Sequence, residues 1–198
     1  MREEREVDTA ARLVRVARRG SGLTQRKLAA AAQCSQPEIA RLERSGHAVS
    51  LDLVERLVRG ARQRLVTIPT RRTPVAEHAD AIAEWLARSD ESRAFRVAIQ
   101  LADDLAGEQG AIRVALAVTP PPATGDSRFD ALIAGITEYR LVKDNLPLPE
   151  WLARSGDPLS PVWFVDPYSQ GDSAVVAATP EPLRRRGVIL DAAELESV

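Results

Sequence analysis

Cys34, His47 and His78 are the only thiol and imidazole side chains in the sequence. One cysteine excludes an intramolecular disulfide, and two histidines leave too few soft ligands for a structural zinc site. The adjacent carboxylates Asp90–Glu91 and Asp103–Asp104 are the remaining groups that could act as acid and base. Neighbours on a helix point about 100° apart, so neither pair converges on one substrate atom, and both read as solvated faces. The sequence contains no glycine-rich phosphate loop, no His-x-Glu or Cys-x-x-Cys ligand pair and no nucleophile elbow. Cys34 reads as a small buried hydrophobe. His47 reads as a loop residue at the surface or beside a phosphate, and His78 as an exposed helix residue. The expectation is a protein that is not an enzyme and uses no cofactor or metal.

What remains is charge. Residues 1–72 carry 16 Lys+Arg against 8 Asp+Glu, net +8, whereas the rest carry 11 against 20, net −9. The basic portion suits a polyanion, because nonspecific affinity for DNA comes mainly from neutralising phosphates. The acidic portion suits a surface that avoids DNA or meets cations. A lone cysteine fits a reducing compartment. The N-terminal MREEREVDTA lacks the apolar core of a signal peptide, and no apolar run is long enough to span a bilayer. A cytoplasmic protein without membrane contact is expected.

Aromatics are 4% of the chain and alanine is frequent, which predicts a mainly α fold of closely packed helices. Ala10, Leu13, Val14 and Ala17 recur at helical spacing from Thr9 until Gly20–Gly22. Thr24 stands as N-cap of a short second helix carrying Leu28, Ala29 and Ala32. After a turn at Gln33–Cys34, Ser35 and Glu38 form a capping box for a third helix, with Pro37 tolerated in its first turn. A fourth helix follows Ser50, with Leu51, Val54, Leu57 and Val58 on its apolar face. The segment QRLVTIPTRRTP reads as a short strand or extended connector and divides residues 1–68 from residues 69–198.

Beyond it, Thr73 is expected to cap a helix that opens on Pro74 and carries Val75, Ala79, Ile82 and Leu86. Two more helices follow, one with Phe95, Ala98, Ile99, Ala102 and Leu105 and one over AIRVALAV, stopped at Pro120–Pro122. A fourth carries Phe129, Leu132, Ile133 and Ile136 and ends near Asn145. The proline-rich tail concentrates Trp151, Trp163, Phe164 and Tyr168. These aromatics either seal the helical core, present a protein-recognition surface, or line an apolar ligand pocket. The chain ends on a turn stopped by Gly187, a short strand Val188–Leu190 and an Asp191/Glu194 capping box.

The stretch LTQRKLAAAAQCSQPEIARLERSG resembles the Xre/Cro-type helix-turn-helix regulators, five-helix domains whose second and third helices read DNA. The resemblance implies that Gln25 meets a backbone phosphate at a helix N-terminus, and that Gln36, Pro37 and Arg41 meet base edges. A glutamine amide matches adenine, a guanidinium matches guanine, and a proline can touch a thymine methyl. Ser35 opens the recognition helix, and Arg44 and Ser45 fall where the family meets phosphate again. It also implies an ion pair between Arg18 and Glu43. Gln33 departs from the glycine usual at the left-handed turn. The runs IPTRRTPVAEHADAI, QLADDLA, RVALAVTPPPATGD and PLRRRGVILDAAELESV are similar to actinobacterial helix-turn-helix proteins that accompany nucleotidyltransferase-type toxins. That likeness implies double-stranded DNA and a cognate toxin as partners, with a homodimer compatible with both. It makes the chain an autoregulating antitoxin, the alternative being a repressor that senses a small molecule in an aromatic pocket of its second domain.

Overall fold

The computed structural model describes the backbone of residues 2–45 and 49–196, and the side chains of residues 9–44 and 49–196. The chain separates into two compact units, Met1–Thr67 and Ile68–Val198.

The first unit contains four helices among the described residues: α1 (Arg2–Gly20), α2 (Gln25–Ala31), α3 (Gln36–Ser45) and α4 (Leu51–Gly60). Helix α1 begins seven residues before the apolar periodicity does, through REEREVD, whose Arg and Glu have good helix propensity. Where the resemblance implies a fifth helix, residues 63–70 run without regular structure and the next helix starts at Val75. Three caps match their sequence signals. Thr24 accepts from Lys27 N–H, Ser50 from Leu53 N–H, and Ser35 and Glu38 exchange bonds of 2.8 Å and 3.3 Å. Gln33 takes φ 52°, the left-handed conformation that a turn between α2 and α3 demands. Val14, Leu28, Ile39 and Leu57 are almost fully enclosed at the centre, and half-buried Cys34 packs against them. Burial, then the charge of Glu38, pushes its thiol pKa up, as expected of a packing residue rather than a nucleophile.

The second unit is built on α5 (Val75–Leu86), α6 (Glu91–Ala106), α7 (Gly110–Val118) and α8 (Ser127–Val142), followed by the short helices α9 (Ser173–Ala178) and α10 (Glu181–Arg184). The N-cap of α5 is Pro74, not Thr73. Thr73 donates its own N–H to Asp104 Oδ2 at 3.1 Å and lies outside the helix. The same carboxylate lies 2.9 Å from His78 Nε2 and accepts from Gln100 Nε2 at 3.2 Å. His78 and Asp104 are therefore buried, contrary to the solvated faces expected of both. The helical pattern of α5 and α6 assigns them correctly to helices, but pairing across the hairpin is what makes burial affordable. Burial pulls the His78 pKa down, and Asp104 only partly offsets this.

Helix α8 is the central element, enclosed from Leu132 to Glu138. Three arginines thread this core and end on main-chain carbonyls. Arg113 donates to Glu108 O and Arg140 O, each at 2.8 Å. Arg140 reaches Ala102 O at 3.1 Å and also Leu195 O. Arg186 donates to Pro182 O at 2.8 Å and pairs with buried Glu138 at 2.7 Å. The tail thus wraps the helices. Trp151 Nε1 donates to Ala117 O at 2.8 Å, and the two-residue strands β1 (Trp163–Phe164) and β2 (Val188–Ile189) pair in parallel. The expected last capping box appears as Asp191 accepting from Ala193 N–H at the start of a 3-10 turn over Ala192–Leu195.

Gly135 lets α10 approach α8: a Cβ there would lie 2.5 Å from Leu183 Cδ2 and 3.2 Å from Leu183 Cα. Gly135→Ala should destabilise the protein by roughly 1–3 kcal/mol of overpacking, exceeding the ~1 kcal/mol gain in helix propensity. Urea unfolding checks this, and the effect should shrink in a Leu183→Ala background, where Cγ and Cδ2, the two nearest atoms, are gone.

Candidate nucleic-acid interface

Helices α2 and α3 are locked from inside. Leu28 and Ala29 of α2 and Ile39 and Leu42 of α3 are buried together, and small Ala29 permits the close approach. At about 100° per residue, Pro37, Arg41 and Arg44 fall within about 60° of one another on α3, opposite Ile39. All three are exposed, as are Ser35 and Gln36. The side chain of Ser45 lies outside the described residues, as does His47 altogether. Ser35 Oγ donates to Glu38 Oε2 at 2.7 Å, and this bond and Ser35 N–H hold the Glu38 carboxyl below the ordinary range.

The position of the pair is fixed by Glu43, on the inner side of α3. Arg18 of α1 meets it with both arms of its guanidinium, Nε to Oε1 at 2.7 Å and Nη2 to Oε2 at 2.8 Å. The partners are 13% and 6% exposed, so this is an enclosed, bidentate pair. Arg18 Nη1 also donates to Leu23 O at 3.0 Å, and Arg15 donates to Glu43 O. Gln25, the first residue of α2, donates from Nε2 to Glu43 Oε2 at 3.0 Å and accepts from Gln36 Nε2 at 3.2 Å. One chain of bonds therefore runs from α1 through Glu43 and Gln25 to the outer end of α3. Burial pushes the Glu43 carboxyl up, but Arg18 and Gln25 together pull it below the ordinary range.

Residues 10–63 match a helix-turn-helix domain family model. No curated protein and no solved structure matches the chain. The match covers the first unit from within α1 to just past α4, and a helix-turn-helix domain supports a DNA-binding regulator. No helix among the described residues is long and apolar enough to cross a membrane.

The helix-turn-helix unit brings Gln25 and Gln36 into direct contact and places Pro37, Arg41 and Arg44 on the same outer face of α3. Sequence reasoning missed the Gln25–Gln36 and Gln25–Glu43 bonds, for which spacing offers no signal. It also passed over Lys27, exposed two residues beyond Gln25 on α2. Its position after the Thr24 cap was the available clue.

Trp151, Trp163 and Tyr168 of the tail do not form one cluster. Trp163 is half-buried with its ring centroid 5.4 Å from that of Phe129, Trp151 is bonded to the end of α7, and Tyr168 is 98% exposed.

Glu43→Ala should cost on the order of 3 kcal/mol, because it leaves an enclosed guanidinium unpaired. The pH dependence follows from the lowered Glu43 pKa. Its contribution is fully present above the unfolded carboxylate value of about 4.3 and is lost as pH falls through the depressed folded value. The stability gap between the wild type and Glu43→Gln, measured by denaturant melts, should therefore narrow on acidification. A constant gap would show that charge does not hold the pair.

Proposed function

We propose that the chain is a sequence-specific DNA-binding transcriptional regulator that seats α3 in the major groove. The observation that carries this reading is the exposed set Pro37, Arg41 and Arg44, with exposed Gln36 at the helix start, on a helix whose inner face is sealed and braced by Glu43. Gln36 uses one N–H on Gln25 and keeps a carbonyl oxygen and a second N–H, the pair of groups that reads adenine. Arg41 is the guanine reader, and Pro37 packs on a thymine methyl. Gln25 keeps its second N–H for a phosphate at the N-terminus of α2, and Arg44 and Ser45 take phosphates beyond the recognition helix. Ser35 holds the first turn of α3 at the groove.

Arg41→Ala should weaken binding to the cognate operator and relax discrimination at one base pair, by about 1–3 kcal/mol. Gln25→Ala should weaken binding to cognate and random DNA by similar factors. Electrophoretic mobility shifts on both DNAs check this, and equal losses for Arg41→Ala on both would remove the assignment of α3.

We further read the chain as an autoregulating antitoxin whose residues 69–198 cover the basic surface of a co-encoded toxin of the nucleotidyltransferase type. The net charge of −9 beyond residue 72 supports this. Arg113, Arg140 and Arg186 lie buried, so three of the eleven cations of that portion do not offset its carboxylates at the surface. The neighbouring gene product should co-purify with the full chain, and its association should weaken as salt rises. Absence of association at low salt would remove the antitoxin reading and leave the DNA-binding one standing.

A further inference from the structure

The second unit contains a recess of about 490 Å³ that the DNA-binding reading does not use. Its apolar wall is made by Phe95 of α6, Phe129 of α8, Trp163 of β1 and Val175 of α9. Its polar lining includes the carboxylates Glu91, Asp166, Asp191 and Glu194, and no Lys or Arg lines it. Asp191 reaches the recess as the cap of the last 3-10 turn, Trp163 through the pairing of β1 with β2, and Phe129 from the buried face of α8.

The carboxylates have few cations: Asp166 and Asp191 each accept a backbone N–H, from Tyr168 at 3.0 Å and from Ala193 at 2.8 Å. Glu91 pairs with Arg128 at 2.9 Å, but Arg128 is also held by Asp126 at 2.6 Å, so one cation serves two acids. Among the described residues no cation pairs with Asp166, Asp191 or Glu194. The same Arg128 places its guanidinium 5.3 Å from the centre of the Trp163 ring. That ring therefore already accepts a cation through its π-system, and the recess offers further aromatic surface with surplus negative charge beside it. A volume within the usual range for small ligands, aromatic walls and convergent carboxylates specify one chemical class.

We propose that this recess binds a small organic cation, an ammonium or related onium group carrying an aromatic or branched apolar body. The cationic head lies among Asp166, Asp191 and Glu194, and the apolar body packs on Phe95, Trp163 and Val175, with buried Phe129 beneath them. A neutral analogue gains only the apolar contact, and an anion is repelled. The site stands independently of any protein partner of this unit.

Isothermal titration of the full chain with benzyltrimethylammonium, against benzyl alcohol and phenylacetate, tests this. The expected result is saturable binding of the cation at least tenfold tighter than either control, weakening as salt rises. Glu194→Gln combined with Asp191→Asn, which keeps a capping side chain at 191, should reduce cation affinity at least fivefold with an unchanged circular dichroism spectrum. Ser92→Trp, which fills the recess from the exposed side of α6, should abolish binding. The proposal is overturned if the cation does not bind, if benzyl alcohol binds equally well, or if the variants bind as the wild type does. Tenfold tighter occupation by an arginine-containing peptide, competed by the same variants, would also overturn it and make the recess an anchor for a protein partner.

Discussion

The carboxylate of Glu43 is the group around which the first unit is arranged. A charge in an enclosed site is tolerable only with close partners, and Glu43 has a two-armed guanidinium from α1 and an amide from α2. Those partners come from the two helices that α3 must be held against. The desolvation cost that makes an isolated buried carboxylate unfavourable here favours a single arrangement, since any tilt of α3 would break a charge-assisted bond. Apolar packing of Leu28, Ile39 and Leu42 supplies the bulk of the attraction but little direction. The ion pair supplies the direction, and through Gln25 it extends to Gln36 at the outer end of the helix.

The second unit solves a related problem by different means. Its helices are rich in alanine and are joined largely by loops rather than strands, so helix C-termini and loop carbonyls are enclosed with few strand N–H groups to accept from. Arg113, Arg140 and Arg186 meet part of this need, each donating N–H groups to main-chain carbonyls in the enclosed interior. Asp104 does the converse for donors at the start of α5. The consequence for function is electrostatic: cations withdrawn into the core leave the surface, and the recess beside Trp163, more acidic than the composition alone suggests.

The two units thus carry opposite charge for separable reasons. In the helix-turn-helix unit Arg26, Lys27, Arg41, Arg44, Arg56 and Arg59 stand on exposed positions of the short helices α2 to α4, where they can meet phosphate. In the second unit several are consumed by the architecture. A regulator that must hold DNA with one portion while the other stays off the phosphate backbone gains from this division.

Much of the first unit was legible in the sequence. Caps at Thr24, Ser35 and Ser50 are local chemistry, decided by a side chain and a backbone N–H three residues away, and so survive without knowledge of the fold. The left-handed Gln33 and the Arg18–Glu43 pair followed from the family resemblance, which carries tertiary information that spacing lacks. The exposed face of α3 followed from its period once Ile39 and Leu42 were taken as buried. The second unit was legible only as a set of helices. Periodicity identifies which face of a helix is apolar, but it cannot reveal that His78 and Asp104 meet across a hairpin, or that an arginine ends on a carbonyl many residues away. The tail shows the same division. Composition marked it as aromatic, yet only the tertiary structure separated Trp151, Trp163 and Tyr168 and assembled a recess from Phe95, Phe129 and Trp163, because burial and pairing there depend on contacts between segments far apart in sequence.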